Sequence, residues 1–441
     1  MRARFVNARG TLPRGRAVLA LAALSLGGAH AAARGPALCP AVRDPARPGF
    51  ITSIDDRLFV LPEFDYYVPW TSEDARHLEE FSRLLRRRGL TLVVAPVPYK
   101  SDLYVTAANN PLPGRFDPGV AHTRYQALLG ALRKVGIAVV DGEEVARDLP
   151  AAQEYYTKHD HHWTGEAVEA TATRVASLAR ASGVPLGAPS TVNLRPFREA
   201  YGGSIAGELQ RTCGITLDPP EQRTFFDVTL DAPEGLLGEA RQDVVVVGDS
   251  FAYSYFGFPK VLSARLATPV VDASINGGGC CSALTTFFST RRLGMPEPRL
   301  LVWGALNPNF SARATREYKP TIYQAYARPM AVAKGTARIG MSGAARAAVR
   351  LASSLSVGSR YFVGMRFEGP KVESFSLDLN SGAGSERVEF WRPSSVTAPR
   401  YDTSFFYELA PGARDLRDVS FTGPRGALVT VTLYKYGADA F

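Results

Sequence analysis

Histidine is scarce in this chain, with six in 441 residues, and cysteine is scarcer still, with four. No CxxC pair or other zinc-ligand spacing occurs, so nothing supports a fold built around a structural metal. Beyond the first thirty or so residues no apolar run is long enough to cross a bilayer. No internal repeat is evident. Basic residues are in only modest excess. The net charge is +9, and five of those charges are Arg2, Arg4, Arg9, Arg14 and Arg16, crowded at the start. What remains is too mildly basic to indicate nucleic-acid binding, although a local groove for an anionic polymer is compatible with it. With 46% apolar and 21% charged residues, a folded chain of two or three domains is expected.

Three of the six histidines fall within Tyr156-Thr157-Lys158-His159-Asp160-His161-His162-Trp163-Thr164. Imidazole moves protons near neutral pH, and a neighbouring carboxylate fixes its tautomer and stabilises the imidazolium. In an extended segment, an offset of two puts Asp160 and His162 on one side and His159 and His161 on the other. A zinc site from His159, Asp160 and His161 lacks a visible fourth ligand. Trp163 reads as packing. Thr164 caps a helix that follows, with Glu166 in its first turn.

A base needs a partner, and the candidate is Ser250 in Asp243-Val-Val-Val-Val-Gly248-Asp249-Ser250-Phe251. Four valines read as a strand buried on both faces, and Gly248 permits a tight turn. A serine there can project its hydroxyl from the sheet edge, its own N–H facing an oxyanion. Ser274-Ile-Asn276-Gly277-Gly278-Gly279-Cys280 offers further backbone donors, with Asn276 and Gly278 the candidates.

Strand and helix patterns alternate. Ile51–Val60 reads as strand and turn; a helix opens at Thr71 and closes at Gly89. Strands follow at Leu90–Pro96 and Ile137–Val140, with a helix over 124–135 between them. Residues 252–266 read as helix, Thr268–Val271 and Leu300–Trp303 as strands. Such alternation predicts a parallel sheet with helices on both faces, its sites at the strand carboxyl ends. Pro98–Ser101, Asp141 and Ser250 occupy such ends. From about residue 345 the apolar period becomes two, which predicts an antiparallel β-sandwich after a basic connector over 321–350. The basic start, the apolar stretch Ala17–Leu26 and Ala29-His30-Ala31 form a signal-peptide pattern, cut after Ala31, with an uncleaved membrane anchor as the alternative. An exported chain pairs its cysteines. Cys39, Cys213, Cys280 and Cys281 allow three complete pairings. A bridge between the adjacent pair is strained, and Cys39 to Cys213 would pin an N-terminal arm over 32–50.

Asp160-His161-His162-Trp163 followed downstream by Gly248-Asp249-Ser250-Phe251 resembles the paired signatures of the alginate O-acetyltransferases of the AlgX and AlgJ type. The resemblance covers roughly residues 50–310. It implies an SGNH-hydrolase-like three-layer α/β domain over 51–320, and a linker and carbohydrate-binding-like β-sandwich over 321–441, as in the AlgX type. It implies Ser250 as nucleophile, His162 as base and acid, and Asp160 as orienting carboxylate. It implies a disulfide from the N-terminal arm, for which Cys39 and Cys213 are suitably placed, and no cofactor. The expected protein is periplasmic and acetylates an exopolysaccharide such as alginate, with a membrane acyltransferase as donor and export-machinery proteins as partners. Trp391, Arg392, Arg400 and Tyr401 are the candidates for holding polymer. The rival expectations are a carbohydrate esterase with the same three residues and a non-catalytic polymer-binding protein of an export complex.

Overall fold

The four valines of strand Val244–Gly248 lie fully buried inside a five-stranded parallel sheet. The order across the sheet is Ala138–Val139, Thr91–Val97, Leu300–Leu306, Val244–Gly248 and Val270–Asp272. The computed structural model describes residues 38–46, 49–65, 71–186, 191–217, 219–231, 243–279, 282–289, 297–306, 310, 312–327, 329–340, 345–356, 359–369, 372–381, 384–391, 403–410, 413, 415–437 and 440. The leader expected over 1–31, Cys280, Cys281, Arg392, Arg400 and Tyr401 lie outside them.

Side chains on a strand alternate between faces, so each strand feeds two cores. Val245, Val247, Leu301 and Trp303 meet helices Ser72–Arg86, Pro118–Lys134, Ser282–Ser289 and Ala312–Tyr326. Val244, Val246, Leu300 and Val302 meet helices Gly165–Ala181 and Phe258–Leu266. The result is three layers, with Ser250 just beyond the carboxyl end of an inner strand. Several helix starts follow from capping. Thr71 and Asp74 make a reciprocal capping box, and the Thr164 hydroxyl accepts from the Ala167 N–H. The second helix begins at Pro118 rather than at 124, because Asp117 caps it and proline is well suited to a first turn. Residues 252–266 are not one helix. Gly257 has φ of +93°, which breaks the chain into short 3₁₀ turns before Phe258–Leu266, where Pro259 sits in the first turn. Asp141 serves as a helix cap, accepting from the Glu143 and Glu144 N–H groups.

Strands Thr191–Tyr201 and Glu221–Asp231 form an antiparallel ribbon with helix Ser204–Cys213 between them. Cys39 and Cys213 are joined by a disulfide. It fastens the short segment Pro40–Arg43 against that helix, where Val42, Ile51, Leu58, Ile205 and Leu209 pack together.

The C-terminal region is a sandwich of two four-stranded antiparallel sheets. One has the order Met330–Arg338, Leu428–Lys435, Tyr361–Glu368, Ser404–Glu408. The other has Arg346–Ser354, Asp415–Thr422, Ser374–Ser381, Gly384–Trp391. Residues 321–350 are therefore not a connector. They hold the end of helix Ala312–Tyr326 and the first two sandwich strands, whose alternation is blurred by small alanines and by charged residues. Buried charges bind the two halves. Lys319, with 0% exposure, contacts Glu80 and Glu408 at 2.7 Å and donates to His77 Nδ1 at 2.6 Å. Arg360 pairs with Glu80 at 2.6 Å and with Glu408, and Arg316 grips Glu386 through both carboxylate oxygens.

Candidate active site

The loop carrying Asp160 and His162 is pinched at its base. Tyr156 and Trp163 form a β-bridge, and the Thr157 N–H and hydroxyl both reach the His162 carbonyl. Lys100, fully buried at the start of helix Lys100–Tyr104, donates from one ammonium to the carbonyls of Leu58, Lys158 and Asp160 at 2.9, 2.8 and 3.0 Å. Glu221 accepts the N–H groups of Lys158 and His159.

Asp160 has 0% exposure. Its carboxylate accepts from His162 Nδ1 at 2.6 Å, from the Tyr201 hydroxyl at 2.6 Å, from the Ser204 N–H at 2.9 Å and from the Ser204 hydroxyl. Burial alone would raise this carboxyl. The hydrogen bond and charge of His162, the charge of His161 and the Ser204 hydroxyl outweigh it and hold the group well below the usual carboxylate range. An ionised acceptor on Nδ1 puts the imidazole proton there, which leaves Nε2 as the basic nitrogen. Nε2 is buried and has no hydrogen-bond partner among the described residues. The ring stacks on Phe256 at 4.1 Å and lies 5.3 Å from Phe251.

Phe251 follows Ser250 directly, so the two segments meet. Gly248 makes this possible: a Cβ there would lie 1.8 Å from the Gly304 carbonyl oxygen. Asp249 then pins the turn, accepting from the Phe251 and Leu306 N–H groups at 3.0 Å each. Ser250 is half-buried between buried neighbours. The Ile275 N–H donates to the Gly248 carbonyl, which docks the glycine-rich loop beside the serine turn. Asn276 is exposed there, whereas the Gly278 N–H closes a turn onto the Ile275 carbonyl. Trp391, 55% exposed, stands over Gly277 from the sandwich, and its carbonyl accepts from the Ser282 hydroxyl.

His161 does not point away from Asp160. The loop bends instead of extending, so the His161 ring lies tilted against His162 at 4.0 Å and its Nδ1 lies 3.4 Å from the Asp160 carboxylate. Burial first, then the charge of His162, lowers it to about 4. His159 lies on the other side, 4.0 Å from Asp56, at a cleft of ≈ 260 Å³ also lined by Tyr201 and Glu221. Asp160, His161 and His162 place three metal-capable atoms within 4.8 Å of one another, but both Asp160 oxygens are already engaged by hydrogen bonds.

Tyr201 and Ser204 escape a reading of the sequence. The signal that could have found them is Tyr201-Gly202-Gly203-Ser204 at a helix start, since a glycine pair there permits close approach to another backbone. Lys100 is visible in sequence only as a strand-end residue. Burial first lowers it, to about 8, against the pull of Glu63, Glu221 and Asp160.

A family model described as "SGNH hydrolase-like domain, acetyltransferase AlgX" matches residues 55–305. Alginate biosynthesis protein AlgX of Pseudomonas syringae pv. tomato is 25% identical over 240 residues, covering 52% of this chain and 48% of that protein. The probable alginate O-acetylase AlgJ of Pseudomonas aeruginosa is 24% identical over 293 residues, covering 58% of this chain and 69% of that protein. The solved structure of Pseudomonas aeruginosa AlgX shares the fold, with a TM-score of 0.69 at 19% identity, over 91% of this chain and 100% of that one. The chain spans about half the length of the curated AlgX relatives first matched in sequence.

Proposed function

Because this chain belongs to the family of the SGNH hydrolase-like domain of acetyltransferase AlgX, we propose that it is a polysaccharide O-acetyltransferase working through an acetyl ester on Ser250. The observation that carries this reading is the 2.6 Å bond from His162 Nδ1 to a fully buried Asp160, with Nε2 unengaged and the ring packed against the residue after Ser250. Ser250 Oγ attacks the carbonyl carbon of an acetyl donor, and its proton passes to Nε2. The bond to the donor oxygen breaks, and that oxygen leaves with the proton. A sugar hydroxyl then attacks the seryl ester and gives its proton to Nε2; the bond from the acetyl carbon to Ser250 Oγ breaks, the sugar oxygen keeps the acetyl, and Oγ takes that proton from Nε2. The Ser250 N–H and the Asn276 side chain serve the oxyanion. In an empty site the serine–imidazole bond is commonly long, and it tightens on substrate.

The acceptor is an alginate-like uronate polymer, held in part by Trp391, Arg392, Arg400 and Tyr401. The donor is a membrane acyltransferase. The disulfide fits an oxidising compartment, and residues 1–31 act as the leader to the periplasm. Incubating the full chain with an activated acetyl ester, with and without a uronate oligosaccharide, tests the reading. Acetylated sugar supports it, and free acetate alone indicates an esterase. Ser250→Ala and His162→Ala are expected to lose at least about 10³-fold in rate. Ser250→Ala with unchanged activity would return the chain to the class of polymer-binding proteins.

A further inference from the structure

The site as described uses Tyr201 and Ser204 but leaves Arg223 without a task. Arg223 stands on strand Glu221–Asp231, opposite Glu199 in the ribbon, and is 2% exposed. None of its three guanidinium nitrogens has a hydrogen-bond partner among the described residues. What surrounds the cation is aromatic. Its central carbon lies 4.4 Å from the Phe256 ring centre, 5.0 Å from Tyr201 and 5.4 Å from Phe225.

Two of these rings belong to the site. Phe256 stacks on the His162 imidazole with 23° between the planes. Tyr201 donates its hydroxyl to Asp160. Phe225 braces Tyr201 at 6.1 Å and Tyr255 at 5.6 Å. The guanidinium therefore lies against one ring that covers the imidazole and one that donates to its carboxylate.

Burying a cation with its N–H donors unused is unfavourable, and aromatic faces return only part of the loss. A methionine would fill similar space without that penalty. Packing alone does not account for the residue, and burial indeed lowers the guanidinium from its ordinary range against the pull of Tyr201 and Asp160.

We propose that Arg223 is a positioning residue for the reaction assigned above. Its planar cation clamps Phe256 and Tyr201 onto His162 and Asp160, and so fixes the imidazole against its carboxylate. The inference rests on the reading of Ser250, His162 and Asp160 as the reacting set. The imidazole meets Asp160 and His161 from its own loop and Phe251 and Phe256 from the serine turn. Tyr201 and Arg223 come from the ribbon, Lys100 lies behind Asp160, and Glu221 and Tyr255 lie within the field of Arg223.

The test is hydrolysis of a small activated acetyl ester by the purified full chain, with thermal unfolding of each variant alongside. Arg223→Met is expected to unfold at no lower temperature than the parent. Its kcat falls about tenfold with KM within about twofold. Arg223→Lys keeps the charge but not the plane. It is expected to recover only part of kcat, again with KM within about twofold. Parental kcat in Arg223→Met would overturn the proposal, as would a rate loss that disappears after correction for folded fraction. If the methionine variant does not fold, Arg223→Lys decides alone: full kcat, or a change in KM in place of a loss in kcat, counts against the proposal. Ser250→Ala in the same assay separates the two levels, because activity surviving there refutes the reaction assignment and not merely the part given to Arg223.

Discussion

Gly203 passes so close to Asp160 that a methyl group on it would lie 2.9 Å from the Asp160 Cβ and 2.8 Å from the His159 carbonyl oxygen. Its φ of +72° is also one that side chains resist. The obstacles are a backbone atom and the root of a buried side chain, so nothing flexible can yield. Gly203→Ala is expected to cost about 1–3 kcal/mol in urea unfolding and to slow ester hydrolysis by shifting the loop that holds Asp160. Parental stability and rate together would show a looser fit than the distances imply.

Tyr201→Phe and Ser204→Ala each remove a donor to a buried carboxylate. Hydrogen bonds to charged groups contribute about 1.5–3 kcal/mol, and a loss of that size is expected at neutral pH for Tyr201→Phe. The held-down Asp160 contributes stability that is full above the unfolded carboxylate range and fades as pH falls toward its folded value. The gap between parent and variant should therefore hold constant down to the ordinary carboxylate value of 3.8 and narrow only below it. A gap that already narrows well above that value would place the effect elsewhere.

Lys100→Met leaves the carbonyls of Leu58, Lys158 and Asp160 without their shared donor, and Glu63 without a nearby cation. Removing one member of a buried charged set costs about 3–5 kcal/mol. The variant should unfold at markedly lower urea, and amide exchange in 158–162 should accelerate first. A variant of parental stability would mean that water replaces the ammonium at no cost.

The buried charges between the sheet domain and the sandwich predict acid lability. Burial, then Lys319, lowers His77 from 6.5 to about 2. Burial raises Glu80, but Lys319 and Arg360 outweigh it and bring it from 4.5 to about 2. In both cases the unfolded chain binds the proton first, so stability falls as pH drops below those ordinary values. The slope from His77 is at most about 1.4 kcal/mol per pH unit. His77→Gln should flatten the decline between pH 6.5 and 4.5 and leave the steeper part below, where Glu80 titrates. An unchanged decline in urea midpoints would exclude His77 as its source.

The parts of the site legible in sequence are those written locally. Asp160 and His162 are two residues apart, and Ser250 ends a run of valines, so short-range pattern suffices for both. Tyr201, Ser204 and Arg223 meet the site only through a ribbon whose first strand, Thr191–Tyr201, is largely exposed, rich in charge and interrupted by Pro196, and whose second buries a charged residue, Arg223, among apolar ones, so neither strand announces which of its polar residues turn inward. His161 was misdirected because the two-residue rule assumes an extended chain, and here the Tyr156–Trp163 bridge forces a bend. The parallel sheet was readable from Leu90–Pro96, Val244–Val247 and Leu300–Trp303, since strands buried on both faces are apolar throughout. The sandwich begins earlier than its pattern suggests because alanine is too small to mark an inward face over Met330–Arg338.

The helix Ser204–Cys213 is ten residues long and has an engagement at each end. Its first residue donates two hydrogen bonds to the ionised carboxylate beside the imidazole, and its last is stitched to the arm that precedes the domain. Ile205 and Leu209 are its buried anchors in between. A thiol reductant would thus slacken the far end of a short rod whose near end holds the acid beside the imidazole, so that a buried carboxylate and a distant pair of sulfurs answer to the same redox conditions.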